Sequence, residues 1–367
     1  MEVRYFRVSE KKELMQAIHS VWANNHILSR DEKLLNYMFY DNPAKQYWVN
    51  SEEYSFLGAW YDNKIVGLLG VMPFEVNNKG NMGVGCSLTN WIVHPDYRNT
   101  GAGFALFQKV KDHNPEMILS LGINSTVAKL YKKMKWDVLD NVPRWIGIVN
   151  KQKTIDKMLN GNEFPLRYWN ELKPLSTSTN YRISGQINEE RWDEFYSRFF
   201  SKKTIGFSRD FKFIKWRYLD HPQFNYQILT CVDKDDNYKG LAIVRIESIF
   251  NQTERIGRVV EFIAEDQDSS VLLANAICEL DRDVLFFEFY CFSTVSTWGL
   301  ESIGFKRILD SANDSLVVPT RFQPLDLKIT NMIAAFSVQS TIVNQLNYAK
   351  ESCFYITKGD SDQDRPN

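Results

Sequence analysis

One loop of the sequence combines a cation, exposed backbone and the start of a helix, a combination that suits anion binding. The segment HPDYRNTGAG, which begins at His94, separates the apolar run LTNWIV from the helical run FALFQKV. The first N–H groups of a helix have no backbone partner and carry partial positive charge, and glycines let an anion approach them. Arg98 adds a planar cation that suits phosphate. The loop is a candidate phosphate site, although an ordinary glycine turn beside a surface arginine fits the same residues.

Two well-known phosphate motifs do not match this loop, but a third does. A Walker A motif needs Gly-Lys-Ser/Thr, and a Rossmann fingerprint needs Gly or Ala where Leu106 stands. In contrast, Arg98, Gly101 and Gly103 resemble the acyl-CoA pyrophosphate loop, Arg-x-x-Gly-x-Gly/Ala, of the GNAT superfamily of N-acyltransferases. The resemblance spans about Tyr54 to Trp136.

A second GNAT signature, Asn-x-x-Ala-x-x-Leu-Tyr followed by an aromatic residue, resembles NSTVAKLYKKMKW, with one extra residue before the alanine. The matching residues are Asn124, Ala128, Leu130, Tyr131 and Trp136. The match implies that Asn124 contacts the cofactor. It also implies that Tyr131 protonates the departing CoA thiolate. A buried core tyrosine on a short helix is the alternative interpretation of Tyr131.

The resemblance further implies how acetyl-CoA, or another acyl-CoA, would be held. Backbone N–H groups of the loop would bind the pyrophosphate beside Arg98. The loop residues concerned are Asn99, Thr100, Gly101, Ala102, Gly103 and Phe104. Trp91, Ile92 and Val93 would lie along the pantetheine, with a main-chain N–H polarising the thioester carbonyl.

The elements that position these residues occur twice in the chain. SRDEKLLNYMFYDNP, from Ser29, aligns without a gap with SRDFKFIKWRYLDHP, from Ser208. After each copy the pattern predicts a hairpin, a strand, a loop, a helix, another strand, a short helix and a closing strand. The sequence therefore predicts an α/β fold of the α+β type, with mixed sheets, in which a GNAT domain is duplicated.

The second copy lacks the features that would bind acyl-CoA. Where the first copy has YRNTGAG, the second has EDQDSS, from Glu265 to Ser270, with three acidic residues and no glycine. Carboxylates at this position would repel a pyrophosphate. The tyrosine of the second signature is also not preserved. We therefore expect one active site per chain, with the second domain shaping the acceptor pocket.

These observations predict four segments. They are an acyl-CoA-binding domain over residues 1–150, a linker over 151–180, a degenerate GNAT-like domain over 181–318, and a C-terminal extension over 319–367. Within the extension, KITNMIAAFSVQSTIVNQLNYAK is a possible helix and SCFYIT reads as a strand. The acidic segment GDSDQDRPN follows.

The residues that would bind the acceptor match no signature as specific as the acyl-CoA loop. Asp360, Asp362 and Asp364 alternate, so in an extended chain they would share one face and suit an ammonium group. Arg217 and Arg365 could meet phosphates of the acceptor. A solvated acidic terminus is the simpler interpretation of this segment. His26 precedes the first repeated segment and could face the acceptor as a catalytic residue, with a structural histidine as the alternative.

Composition excludes several classes of function. Lys and Arg number 44 and Asp and Glu 45, so no basic excess favours a nucleic-acid partner. Five scattered cysteines without a CxxC spacing favour a reduced, cytoplasmic compartment and offer no metal site. No run approaches the roughly 20 apolar residues that a membrane span requires, so no membrane insertion is expected. The sequence is compatible with a monomer and with a homodimer.

KWRYLDHP and the acidic segment together resemble two-domain GNAT proteins of bacterial surface-glycan pathways. This resemblance implies an N-acyltransferase that moves an acyl group, first of all acetyl, from acyl-CoA to the amine of an amino sugar, a small molecule linked to a nucleotide. A Fem-type aminoacyl transferase of peptidoglycan synthesis and a non-catalytic acyl-CoA sensor are the alternatives.

Overall fold

A computed structural model describes residues 1–22, 24–177, 180–309, 318–322, 325–326, 330–339 and 348–366. The strands in these ranges are β1 (Glu2–Arg7), β2 (Glu53–Tyr61), β3 (Lys64–Asn78), β4 (Asn81–Val93), β5 (Met117–Ile123), β6 (Asp137–Leu139), β7 (Arg144–Ile148), β8 (Arg182–Ser184), β9 (Ile205–Phe207), β10 (Gln227–Val232), β11 (Tyr238–Ile249), β12 (Glu254–Ala264), β13 (Phe286–Phe292), β14 (Lys306–Ile308), β15 (Arg321–Phe322), β16 (Leu325–Asp326), β17 (Ile333–Val338) and β18 (Ile356–Thr357).

The helices of the same ranges are α1 (Lys11–Ala17), α2 (Glu32–Phe39), α3 (Ala102–Lys111), α4 (Ser125–Lys133), α5 (Lys151–Met158), α6 (Glu189–Phe195), α7 (Ser201–Lys203), α8 (Phe211–Ile214), α9 (Gln267–Leu280) and α10 (Trp298–Ile303). Helices α1, α6 and α8 each continue into a π-helical turn; the turns are Ile18–Trp22, Tyr196–Phe200 and Lys215–Leu219.

The two copies of the repeated segment begin their helices in the same way. Asp31 accepts a hydrogen bond of 2.8 Å from the Leu34 N–H at the start of α2. Asp210 accepts one of 2.9 Å from the Phe213 N–H at the start of α8. Each aspartate therefore satisfies an N–H that the helix leaves unpaired. The repeated aspartates are helix caps, and their persistence reflects folding rather than catalysis.

Most strands belong to two eight-stranded mixed sheets, which confirms the predicted fold class and supports the duplication. The first sheet has the order β1-β2-β3-β4-β5-β17-β6, with β9 paired to β3. The second has the order β8-β10-β11-β12-β13-β7-β14, with β18 paired to β13. Equivalent strands occupy equivalent places in the two orders.

One strand has been exchanged in each direction between the sheets. Strand β7 follows β6 in the chain but inserts between β13 and β14 of the second sheet. Strand β17 comes after β14, β15 and β16 in the chain but inserts between β5 and β6 of the first sheet. The sheets therefore do not follow the segments predicted from the sequence, because β7 lies within residues 1–150 and β17 within residues 319–367. The two halves are interlocked by backbone hydrogen bonds.

One prediction about the C-terminal extension was wrong. Within the possible helix over residues 328–350, residues 333–338 form the strand β17, and residues 328–329 and 340–347 lie outside the described ranges. Ala334, Ala335 and Phe336 of β17 are fully buried, so the apolar run fills a gap in the sheet. The predicted linker contains α5, which packs its apolar side on the second sheet.

Candidate active site

The first sheet opens into a cleft where β4 and β5 diverge. The two strands pair in parallel only at Cys86 with Ile118 and at Ser87 with Leu119. Beyond Ser87, β4 continues to Val93 without a β5 partner. A cavity of about 950 Å³ occupies this opening and extends to the second sheet and the C-terminal segment. Trp91, Ile92 and Val93, which the sequence predicts to contact the cofactor, line it.

A β-bulge marks the point where β4 turns toward the cavity. Leu68 of β3 faces Ile92 and Gly70 faces Thr89, so β4 has one extra residue between these pairs. Asn90 lies in the bulge with a φ of 55°, in the left-handed region. Its side-chain amide lines the cavity and has no hydrogen-bond partner among the described residues. A bulge turns a main-chain N–H out of the ladder, which fits the predicted contact with a thioester carbonyl.

The loop after β4 leads directly to the exposed start of α3. Gly101 has a φ of 80° and precedes the first residue of the helix without a side-chain cap. The first N–H groups of α3 are therefore available to an anion. Arg98 is exposed on the same turn and forms no ion pair with a described residue. Asn99 and Thr100 lie in this exposed turn, and Ala102 is buried.

Gly103 and Phe104 lie where the loop meets the cavity. Both line the cavity wall. A Cβ added at Gly103 would come within 3.4 Å of Val93 and 3.7 Å of the Trp91 indole nitrogen, in the groove beside β4. The Phe104 side chain is 71% exposed, an unusual position for a large apolar ring. The bare helix start, the left-handed glycine and the open groove fit the pyrophosphate and pantetheine of an acyl-CoA.

Tyr131 lies on the opposite side of the cleft, on α4. Its ring stacks on Trp136, with ring centres 4.3 Å apart, and its hydroxyl has no hydrogen bond of ordinary geometry to a described residue. Burial raises the pKa of Tyr131 above its ordinary value, and the nearby Ser120 hydroxyl offsets part of that rise. A protonated phenol in the cavity wall is suited to donate a proton. Asn124 caps α4 by accepting a hydrogen bond from the Val127 N–H, and it also lines the cavity.

The second domain fills the equivalent anion site with its own side chains. Asp266 caps α9 by accepting a hydrogen bond of 2.8 Å from the Ser269 N–H. Glu265 beside it is bound by Arg198 at 2.6 Å and by Lys239 at 3.3 Å. The N-terminus of α9 is therefore already capped by the Asp266 carboxylate, in contrast to the bare start of α3.

The second domain also fills the opening between its splayed strands. Strand β12 pairs with β13 over only three residues, ending at Val259 with Phe289. Beyond that point β18 pairs with β13, and the Tyr355 hydroxyl accepts a hydrogen bond from the Phe262 N–H of β12. The C-terminal segment thus lies in the position that corresponds to the cleft of the first domain. This arrangement supports the expectation of one acyl-CoA site per chain.

Beyond β18 the acidic segment is folded and buried instead of solvated, and its three aspartates do not share one face. Residues 358–360 form a 3-10 turn. Asp360 accepts a hydrogen bond of 2.9 Å from Arg209, and Asp364 accepts one of 2.6 Å from Arg245. Only Asp362 of the three lines the cavity. The expected common face therefore does not form, because the turn points Asp360 and Asp364 at separate buried arginines.

Of the two arginines predicted for the acceptor, the structure brings one to the cavity. Arg365 lines the cavity, and its Nε donates a hydrogen bond of 3.1 Å to Asp362. Arg217 is buried and donates to the carbonyl oxygens of Gly359, Ser361 and Asp364. Arg217 therefore fixes the course of the C-terminal segment and does not face the acceptor space.

His26 lies behind the cavity wall. Its ring packs at a tilt of 37° against Trp22, which lines the cavity, with ring centres 3.8 Å apart. Its Nδ1 accepts a hydrogen bond from the Leu28 N–H, and its Nε2 has no partner among the described residues. Burial, and then the charge of Arg365, lower the pKa of His26 to about 4. His26 is not among the described residues that line the cavity, so it supports Trp22 rather than meeting an acceptor directly.

The wall opposite the cleft was missed by the sequence analysis. Arg245 and Glu247 of β11, Arg258 of β12 and Lys358 of the C-terminal segment line it. The sequence carried a signal for two of these residues, because the charges of Arg245 and Glu247 alternate with apolar residues in VRIES. In a strand, alternate residues share one face. A charged face on a central strand indicates a polar cavity.

Comparisons with known proteins agree with this geometry. Residues 17–136 match the profile of the Acetyltransferase (GNAT) family. No curated protein sequence matches the chain. Among solved structures, a GCN5-related N-acetyltransferase from Anabaena variabilis has a TM-score of 0.52 at 13% identity, over 78% of this chain and 65% of that one. This chain therefore spans less than two thirds of that protein's length.

Two further structures cover more of the chain. A probable N-acyltransferase from Enterococcus faecalis, described as a conserved protein of unknown function, has a TM-score of 0.54 at 13% identity, over 91% of this chain and 72% of that one. Saccharomyces cerevisiae N-myristoyltransferase with bound myristoyl-CoA and inhibitors has a TM-score of 0.50 at 13% identity, over 91% of this chain and 79% of that one. At these identities the likeness establishes the fold.

No helix in the described part of the chain combines the length and apolar character needed to cross a bilayer. Within the same residues, His, Cys, Asp and Glu form no group of three or more that could hold a metal ion.

Proposed function

We propose that this chain, whose residues 17–136 match the Acetyltransferase (GNAT) family, is an acyl-CoA-dependent N-acyltransferase acting on an amine in the cavity between its two sheets. The observation that carries the proposal is the continuity of one cavity. It runs from the bulge of β4 and the start of α3 to Asp362 and Arg365 of the C-terminal segment. An acyl donor in the cleft and an acceptor against the second domain would meet at the bulge.

The residues around the bulge can perform each step of the transfer. The acceptor nitrogen attacks the thioester carbon, and the main-chain N–H groups of the bulge stabilise the oxyanion. The carbon–sulfur bond then breaks, and Tyr131 donates a proton to the thiolate. Asp362 takes the proton that the acceptor nitrogen loses, directly or through water. Its carboxylate lies against β4, because Thr89 donates a hydrogen bond of 3.1 Å to it.

We propose that the acceptor is an amino sugar, most simply a nucleotide-linked one used in bacterial surface-polysaccharide synthesis. We propose that the acyl group is acetyl. The mixed lining of the cavity supports a polar acceptor, since Asp362 suits an ammonium group and several arginines suit phosphates. A cytoplasmic location follows from the supply of acyl-CoA and nucleotide-linked sugars there, and a monomer or homodimer would suffice.

The test is a panel of amines incubated with acetyl-CoA, with released thiol as the readout and product mass as confirmation. The panel contains nucleotide-linked amino sugars, the same sugars without the nucleotide, and amino acids. We expect turnover with nucleotide-linked amino sugars above the other classes. Turnover only with amino acids or peptides would reject the amino-sugar assignment. CoA binding without turnover of any amine would favour the non-catalytic sensor.

A further inference from the structure

The wall of the cavity opposite the cleft carries more positive than negative charge. Five cationic side chains line the cavity, against the two carboxylates Glu247 and Asp362. The cations are Arg245, Arg258, Arg321, Lys358 and Arg365. All but Arg321 are largely buried. Burying a charge without a partner is costly, so this imbalance calls for an explanation.

The carboxylates behind the wall do not remove the imbalance. Glu288 is buried and is shared among three cations: Arg144 at 2.5 Å, Arg258 at 2.9 Å and Lys358 at 3.3 Å. Asp364 pairs with Arg245 at 2.6 Å. Adding Arg144, Glu288 and Asp364 to the lining residues gives six cations and four carboxylates. Two positive charges therefore lack a carboxylate within this cluster, and one of the six cations, Arg321, is exposed.

Individual atoms of the wall also lack partners. The Nε of Arg245 is buried without a hydrogen bond to any described residue, although its guanidinium packs 3.8 Å over the Phe224 ring. Arg321 is exposed at the rim and forms no ion pair with a described residue. Phe322 beside it packs 5.1 Å from the Arg258 guanidinium, which joins the rim to the buried cluster.

Lys358 is the group most affected by this surplus. It is buried, with its ammonium nitrogen 4.1 Å from the centre of the Tyr290 ring. Burial, and then the charge of Arg258, lower the pKa of Lys358 to about 7. The charged and polar groups around it are Arg144 of β7, Glu247 of β11, Arg258 of β12, Glu288 and Tyr290 of β13, and Asp364 of the C-terminal segment. Near neutral pH, Lys358 is therefore only partly protonated.

We infer that this wall is a phosphate subsite, in which Lys358, Arg258 and Arg321 bind a phosphate or diphosphate group of the acceptor and Lys358 takes up a proton as the anion enters. A dianionic phosphate balances the two surplus charges, whereas one carboxylate balances only one. One arginine guanidinium can donate two parallel hydrogen bonds to two oxygens of a phosphate. The assignment of the anion to the acceptor rests on the proposed function, but binding of the anion does not.

The experiment is calorimetric titration of inorganic pyrophosphate into the full chain saturated with CoA, so that the loop before α3 is already occupied. The titration is run at pH 7.5 in two buffers of different ionisation enthalpy, which counts the protons taken up. We expect saturable binding with net proton uptake. Lys358→Gln should weaken binding at least about tenfold, the effect of losing a charged hydrogen bond. It should also abolish the uptake.

Two further variants separate the proposed role from a structural one. Lys358→Arg should keep most of the affinity but take up no proton, because arginine is always charged. Lys215→Gln, a lysine in an exposed ion pair with Asp220, is the matched control and should behave as the wild type. Equal pyrophosphate affinity in wild type and Lys358→Gln, or proton uptake in Lys358→Arg, would overturn the inference.

A folding defect and a wrong acceptor are both distinguishable. If Lys358→Gln no longer binds CoA, the test uses Arg321→Gln, at the exposed rim, as the variant. We expect this variant to lose at least about threefold in pyrophosphate affinity. An unchanged affinity would overturn the inference. Malonate is titrated in parallel, and tighter binding of malonate than of pyrophosphate would overturn the choice of phosphate. Pyrophosphate binding without turnover of nucleotide-linked amino sugars would leave the subsite standing and reject the proposed acceptor.

Discussion

The hydroxyl of Thr89, on β4 next to the bulge, donates a hydrogen bond of 3.1 Å to the carboxylate of Asp362 in the C-terminal segment. These residues are 273 positions apart in the chain. The contact joins the strand that would carry the acyl-CoA to the segment that closes the acceptor space. A carboxylate therefore lies beside the main chain that would hold the thioester.

Asp362→Asn should lower kcat while leaving CoA affinity unchanged. The amide keeps the size of the side chain and can still meet Thr89, but it cannot accept the proton that the acceptor nitrogen loses. A positioned base contributes roughly 10²–10⁴-fold, so kcat should fall by about that factor. Thr89→Val, which removes the hydrogen bond and keeps the carboxylate, is the matched comparison and should have a much smaller effect. Normal kcat in Asp362→Asn would exclude Asp362 as the base.

Tyr131→Phe should lower kcat with little change in the KM for acyl-CoA. The phenol is useful only as the thiolate leaves, so its removal affects the transition state rather than substrate binding. The measurement is steady-state kinetics with thiol release as the readout. The stacking of the ring on Trp136 is retained by phenylalanine, so the melting temperature should change little. Equal turnover in the wild type and in Tyr131→Phe would show that Tyr131 has only a structural role.

Asp360→Ala should destabilise the protein by about 3–5 kcal/mol, because it leaves the buried Arg209 with one of its two carboxylates. Arg209 is fully buried between Asp360 and Glu261. Asp220→Ala, which breaks an exposed ion pair with Lys215, is the control and should cost at most about 1 kcal/mol. Denaturant unfolding of both variants gives the comparison. Similar losses in the two variants would show that the C-terminal segment is not held by this pair.

The protein should lose stability as the pH falls from about 6.5 toward 4. Burial, and then the charge of Arg217, lower the pKa of His221 to about 3, and the pKa of His26 is about 4. Since both lie below the ordinary value of about 6.5, the unfolded chain binds more protons in this window. The stabilisation is complete above about pH 6.5.

His221→Gln should flatten this pH dependence of the unfolding free energy, whereas replacement of the exposed His19 by Gln should not. Denaturant unfolding at several pH values between 7 and 4 provides the measurement. An unaltered slope in His221→Gln would show that this histidine is not the source of the acid sensitivity.

The sequence predicted the anion-binding loop and the duplication because both depend on local patterns. The glycines of the loop, the strand before it and the helix after it are adjacent in the chain, and the repeated segments align without a gap. The exchange of β7 and β17 was not predicted, since the apolar run of β17 is compatible with a helix until its place between β5 and β6 is known. Tertiary pairing decided its conformation.

The acceptor side was predicted only in part, for a related reason. Asp362 and Arg365 were identified from their charges, but the 3-10 turn that separates Asp360 and Asp364 from them depends on buried partners distant in the chain. The Arg258 and Lys358 wall combines two strands and the C-terminal segment. The alternation in VRIES marks Arg245 and Glu247 alone, and only packing shows that Arg258 and Lys358 face the same cavity.

Calorimetric titration of CoA into the full chain counts the acyl-CoA sites, and it tests most directly whether the cleft between β4 and β5 is the acyl-CoA site. We predict one site per chain. Arg98→Glu should weaken binding well over tenfold, since a phosphate contact worth about 1.5–3 kcal/mol becomes a repulsion, while Asp266→Ala at the start of α9 should leave the affinity unchanged. Two equivalent sites per chain, or an unchanged affinity in Arg98→Glu, would contradict an acyl-CoA site confined to the cleft between β4 and β5.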